Sequence, residues 1–192
     1  MRWMDLRLVW IFRRTLVAPT SDSCAEPGYS FRQLTAAEML DAAADPVLDL
    51  SRERIKEAAA SGDLFFGALH QDRVVSYRWY SLSGATPCWE GMQIRYASPK
   101  RAYGYRAFTH PAHRGKQLHA YTATQSDLAL IARGCTHTIA YIDATNFASL
   151  SAYSRLRGGH RIGGILSLCA FGRHWVFRSS GAIRHAVTIV SV

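Results

Sequence analysis

Tyr103-Gly104-Tyr105-Arg106-Ala107-Phe108-Thr109, followed by His110-Pro111-Ala112-His113-Arg114-Gly115-Lys116, is the stretch that decides the fold. The first seven residues are aromatic-rich and read as a strand. The next seven read as a turn. Gln117 to Arg133 has the composition of a helix, and Gly134 stops it. Thr136 to Ile142 is β-branched and apolar, which predicts a strand. Asn146 then opens a second helix that ends near Gly158. A basic, glycine-bearing turn at the start of a helix offers free backbone N–H groups and the positive end of the helix dipole. That combination is a natural anion site.

Upstream, Tyr29 to Leu34 reads as a strand. Thr35 with Glu38 has the capping-box spacing, and the helix it opens ends before Pro46. Ser51 caps a helix over Arg52 to Ser61, stopped by Gly62. Leu64 to Leu69 and Arg73 to Leu82 are strands joined through His70-Gln71-Asp72. Ser83 to Pro87 reads as a turn, Trp89 to Tyr96 as a further strand, and Ser98 to Lys100 as a turn. Downstream, Arg161 to Ala170 and His174 to Arg178 form a hairpin around Gly172. Ser179 to Val192 gives no clear pattern and ends apolar.

Residues 1–28 read as an N-terminal extension packed on a domain that spans 29–192. Leu6 to Phe12 is apolar apart from Arg7, too short for a signal peptide or a membrane span, and suits an extra strand or short helix. Pro19 to Gly28 has loop composition. The element order predicts a mixed α/β (α+β) domain, one sheet with helices on its faces. The early hairpin excludes a Rossmann arrangement, and no Walker pattern is present.

Composition bounds the partners. The chain has 192 residues and a formal charge of +9, with arginine far outnumbering lysine. Such a balance suits a phosphate-bearing ligand, nucleic acid or an acidic protein, and equally a solvated surface. Cys24, Cys88, Cys135 and Cys169 have no paired spacing, which fits reduced core residues in a cytoplasm. The histidines show no metal-like grouping, so no metal is expected.

Three local runs resemble the GCN5-related N-acetyltransferase superfamily, and the likeness covers Tyr29 to Arg178. Arg114-Gly115-Lys116-Gln117-Leu118-His119 is similar to the family's acyl-CoA loop, [RQ]-x-x-G-x-[GA], after Phe108-Thr109-His110-Pro111. Asn146-Phe147-Ala148-Ser149-Leu150-Ser151-Ala152-Tyr153 resembles its N-x-x-A-x-x-x-Y run, with Ser for Ala. The run from Arg157 through Gly158, Gly159 and His160 to Gly163 stands where relatives carry Gly-Phe and then a strand. The chain departs at Gln117 and His119, where the family places small residues that let the pyrophosphate approach the backbone. This variant is an R-G-x-x-L-H loop.

The resemblance implies a mostly antiparallel sheet with helices on both faces. Its central strands should splay between Tyr103–Thr109 and Thr136–Ile142. It also implies transfer of an acetyl or other acyl group from acyl-CoA to a small amine or amino-acid-like acceptor. Cofactor contacts fall on Phe108, Thr109, Arg114, Gly115, Lys116, Gln117, Leu118, His119 and Asn146. His119 is expected to donate to a phosphate oxygen. Tyr153 would protonate the leaving thiolate; the alternative reading of Tyr153 is a core aromatic, and that of Asn146 a plain N-cap. Glu90 is the expected base, with Asp143 as the other carboxylate and water as a further route.

Two other functional classes stay open. A long-chain enzyme could take its acyl group from acyl carrier protein, with Trp79, Tyr80, Trp89, Tyr103, Tyr105 and Phe108 lining a tunnel. A non-catalytic module on the same fold could stack bases on Tyr77-Arg78-Trp79-Tyr80, although no RNA-binding signature is present and nucleic acid is not expected. Dimers through strand pairing are frequent among relatives, so a homodimer is a further expectation.

Overall fold

The computed structural model describes residues 4–18, 27–89, 92–97 and 100–191. Eleven strands and five α-helices are assigned among them. The strands are β1 (Met4–Thr15), β2 (Tyr29–Leu34), β3 (Leu64–His70), β4 (Arg73–Ser81), β5 (Ala85–Trp89), β6 (Met92–Tyr96), β7 (Arg101–Thr109), β8 (His137–Asp143), β9 (Gly159–Ala170), β10 (Arg173–Arg178) and β11 (Val187–Ser191). The helices are α1 (Ala36–Ala42), α2 (Arg52–Ala60), α3 (Leu118–Ile131), α4 (Phe147–Ser154) and α5 (Ser180–Arg184).

Eight strands form one sheet in the order β10-β9-β1-β8-β7-β4-β3-β2, and β11-β6-β5 form a second. Within the large sheet only β7 and β8 run parallel. Their pairing is confined to Arg101↔His137, Ala102↔Thr138 and Tyr103↔Ile139. Beyond Tyr103 the two strands part, which is the expected splay. Arg106 carries a positive φ of 41° where the β4–β7 register shifts. Such a bulge bends a strand and sharpens its twist.

Alternation sorts the side chains. Tyr77 and Trp79 of β4 join Met39, Leu48 and Ile55 under α1 and α2. Tyr80 faces the other way, with Leu130 of α3. Tyr153 and Leu156, in and after α4, join Ala123 of α3 and Ala140 of β8 on the α3 side. The three-stranded sheet covers Val9, Ile11, Tyr103 and Ile139 on the α1/α2 side. Both two-residue hairpin turns, Gln71-Asp72 and Phe171-Gly172, have positive φ at each centre, as type I′ geometry requires.

The boundary expected at residue 28 does not describe this sheet. β1 lies inside it, paired along one edge with β8 and along the other with β9. A strand buried on both faces reads as a continuous apolar run without alternation, and Arg7, Arg13 and Arg14 interrupt that run. The expected turn at Ser83–Pro87 is largely strand β5. The tail without pattern forms α5 and β11. Tyr77, Trp79, Tyr80 and Tyr103 are only 1–2% exposed. They are core residues, and Tyr77, Trp79 and Tyr80 present no faces on which bases could stack. Of the aromatic residues proposed for an acyl tunnel, Tyr80 points to one face while Trp79, Tyr103, Tyr105 and Phe108 point to the other. No helix among the described residues is long and apolar enough to cross a membrane.

Candidate active site at the splayed strands

The loop between β7 and α3 is built from its own residues. His110 Nδ1 accepts from Ala112 N at 3.2 Å and caps a short 3₁₀ turn, Pro111–His113. Gly115 has a φ of +82°, with open space around it, so glycine is needed there for backbone conformation alone. Gln117 also adopts a left-handed φ, 55°, and no side chain caps α3. A non-glycine residue held in that region costs of order 1–3 kcal/mol, and such strain collects at ligand clamps. The uncapped amides at the start of α3 are therefore open to an anion.

The two loop cations are drawn back onto the domain. Arg114 Nε donates to the Thr109 carbonyl at 3.2 Å, and its guanidinium stands 5.7 Å from the Phe108 ring. Lys116 Nζ lies 5.0 Å from the Tyr29 ring centre, and Tyr29 Oη is 2.9 Å from His113 Nδ1. Thr109 Oγ1 is 2.9 Å from Ser76 Oγ. Leu118 is buried. Asn146 caps α4, its Oδ1 accepting from Ser149 N at 3.0 Å.

His119 and Tyr153 both neighbour the Arg78 side chain beneath α3. Arg78 Nη2 donates to His119 Nε2 at 3.1 Å, so the ring carries its proton on Nδ1. The sequence placed Arg78 only in a base-stacking run, and the strand aromatics around it are buried. It is 7% exposed, and its Nε has no partner. Its cross-strand neighbour Ala107 is exposed, because β8 has parted from β7 there. Tyr153 is 3% exposed. Its Oη makes no hydrogen bond, with the Thr138 hydroxyl close by but outside bonding geometry. Burial pushes the phenol up, and Arg78 partly offsets this. Thr122 Oγ1, on the same inward side of α3, is also buried without a partner.

Burial, helped by the charges of Arg78 and Arg14, pushes His119 down to about 3. The folded protein therefore refuses a proton that the unfolded chain accepts between roughly pH 6.5 and 3. Stability from this group is full above that window and falls as pH drops through it, by at most ~1.4 kcal/mol per pH unit. His119→Gln keeps an acceptor for Arg78 and removes the titration. Urea unfolding from pH 7 to 4 should show a shallower loss of stability for that variant. Parallel curves would mean that the ring is solvated.

On the α1/α2 side of the splay, Tyr105 Oη donates to Asp63 Oδ2. Asp63 Oδ1 is buried without a partner, and burial pushes this carboxyl up. Asp63 was missed in the sequence, where it reads as the residue after a helix stop. Asp143 is held below its usual range by the Thr145 hydroxyl, to which it bonds at 2.6 Å. Glu90 lies outside the described residues.

No family sequence model matches this chain, and no curated protein matches it in sequence. Solved structures do match its fold. One is an acetyltransferase of the GNAT family from Novosphingobium aromaticivorans, 15% identical over 93% of this chain and 69% of its own, with a TM-score of 0.57. A GCN5-related N-acetyltransferase from Sphaerobacter thermophilus is 14% identical over 90% of this chain, with a TM-score of 0.60; the match spans 52% of its length. An aminoglycoside 6′-N-acetyltransferase from Acinetobacter baumannii is 14% identical over 68% of this chain and 90% of its own, with a TM-score of 0.53. The chain has the fold of the GCN5-related N-acetyltransferases.

Proposed function

We propose that the protein is an acyl-CoA-dependent N-acyltransferase acting on a small amine or amino-acid-like acceptor. One observation carries the reading. The parting of β7 from β8 opens between a basic, uncapped helix start and a buried phenol without a partner. The residues present fit an acyl-CoA: open amides and cations for a diphosphate, the unpaired strand edge for an extended arm, and Tyr153 for a sulfur. The bound thioester supplies an activated acyl carbon and a thiolate leaving group.

The chain's own groups do the rest. The free edge of β7 beyond Tyr103 orients the donor through its backbone. Arg114, Lys116 and the first turn of α3 hold negative charge. Tyr153 keeps its proton at neutral pH because burial disfavours the phenolate, and it gives that proton to the departing sulfur. On the opposite side of the splay, Asp63 takes the proton that the acceptor amine must lose. Tyr105 fixes the carboxyl by its hydrogen bond. Glu90 is the other carboxylate proposed for that role.

The test is calorimetric titration with acetyl-CoA followed by turnover with a panel of amines. Absence of binding to acetyl-CoA, with turnover of an acyl carrier protein thioester, would move the donor to the carrier protein. Asp63→Asn should lower kcat/KM for the amine by about 10²-fold while donor affinity stays unchanged. A retained rate in Asp63→Asn with a lost rate in Glu90→Gln would give the base role to Glu90.

A further inference from the structure

The sheet carries a second gathering of cations at its other end. Arg101 opens β7, eight steps from Thr109, so roughly 26 Å of strand separates it from the loop just described. Arg101 pairs in register with His137 of β8. His137 pairs with Thr15 of β1, and Arg13, two residues away on the same strand, pairs with His160 of β9. Residues in register share a face. Ile139 lies on the α1/α2 side, so Arg101, His137, Arg13 and His160 all point there. His185, following α5, closes the group: Arg101 Nη1 donates to its carbonyl.

Three buried nitrogens in this group have no hydrogen-bond partner: Arg13 Nε, Arg101 Nε and His137 Nε2. His137 is 8% exposed, and its Nδ1 is 2.8 Å from Thr136 Oγ1. That hydroxyl is also 3.4 Å from the Lys100 carbonyl. Arg13, Arg101 and His185 all press on His137, which burial and these charges push down to about 4. His185 in turn feels Arg101, Arg13, Arg184 and His160. Among the described residues no carboxylate pairs with any of them. Arg14, the next residue of β1, shows the contrast: it is fully buried and bonded to Asp127 at both ends of its fork, whereas Arg13 and Arg101 are half-buried. Gathered cations without a counter-charge repel one another, and partial burial strengthens that repulsion.

We propose that Arg13, Arg101 and His137, rimmed by His160 and His185, form a second site that binds a compact phosphate- or sulfate-bearing anion. Guanidinium forks match tetrahedral oxyanions. Two fixed guanidinium charges face the site and, among the described residues, no carboxylate does, so it repels metal cations and amines. The depth of His137 favours a small anion over a flat nucleic-acid backbone. Binding places negative charge beside the neutral imidazole, which takes one proton from solvent onto Nε2 and becomes a further donor. The imidazole therefore contributes proton uptake on binding.

Pyrophosphate titrated calorimetrically into the full chain, in two buffers of different ionisation enthalpy, tests this. Binding at this site should persist in Arg114→Ala, where the loop site is weakened. Arg13→Gln and His137→Gln should each weaken it at least tenfold, and His137→Gln should take up fewer protons on binding than wild type, a difference that cancels the protons pyrophosphate itself exchanges. Without anion, Arg13→Gln should be at least as stable as wild type, because one of the repelling charges is gone. The proposal is overturned if pyrophosphate does not bind, or if binding is lost in Arg114→Ala and kept in Arg13→Gln. Binding of a short single-stranded RNA but not pyrophosphate would overturn it too. So would a destabilised Arg13→Gln chain, which would make the cluster structural.

Discussion

Tyr153→Phe is expected to lower kcat by roughly 10²-fold or more while leaving acetyl-CoA affinity almost unchanged. The structure sharpens this in one respect. The phenol is buried and its Oη makes no hydrogen bond. A buried hydroxyl without a partner carries its full desolvation cost, so removing it should leave stability equal or raise it by about 1 kcal/mol. The ring itself packs 4.8 Å from Phe12, and Phe keeps that contact. Loss of turnover is thus expected with no loss of stability. Full activity would remove Tyr153 from catalysis, and a destabilised chain would make its hydroxyl a structural contact. Unsatisfied buried groups of this kind collect at functional sites.

The central unit was legible because its signals are local. The strand, the glycine turn, the long helix and the Asn146 cap each depend on neighbours in sequence, and the parting of β7 from β8 followed from that unit. β1 was not legible as an internal strand, because its two edges are satisfied by strands more than a hundred residues away. Its two successive arginines read as a surface break, yet Arg13 faces one side of the sheet and Arg14 the other. Arg78 was read only as part of an aromatic strand. Nothing adjacent in sequence shows that its acceptor is His119, the residue already singled out for departing from the loop pattern. Asp63 follows the same logic, since Tyr105 reaches it across 42 positions.

The largest effect on stability should come from Asp127. Arg14 is 3% and Asp127 1% exposed. Arg14 Nη1 and Nη2 donate to the two carboxylate oxygens at 2.6 and 2.5 Å, and Nη2 also reaches the Ala123 carbonyl at 3.2 Å. Asp127 further accepts from Val17 N at 3.3 Å, just beyond β1. The pair thus ties the first strand to the middle of α3, under the helix whose start forms the proposed donor site. Asp127→Ala leaves a guanidinium buried without its counter-ion, and the expected loss is about 3–5 kcal/mol. Arg14→Met alone strands the carboxylate and should cost a similar amount. The double variant Arg14→Met, Asp127→Ala removes both charges and should recover most of the loss, because burying two charges is itself expensive. The recovery should stop about 1 kcal/mol short, since the Val17 amide loses its acceptor. Urea unfolding of the four chains measures the coupling. A cost below about 1 kcal/mol for Asp127→Ala, the range of an exposed pair, would mean that water reaches the pair. Removing residues 1–15 tests the strand as well as the pair. With the pair dry, the same truncation removes a strand paired on both edges and the counter-charge of α3 together, and the remaining chain should not fold.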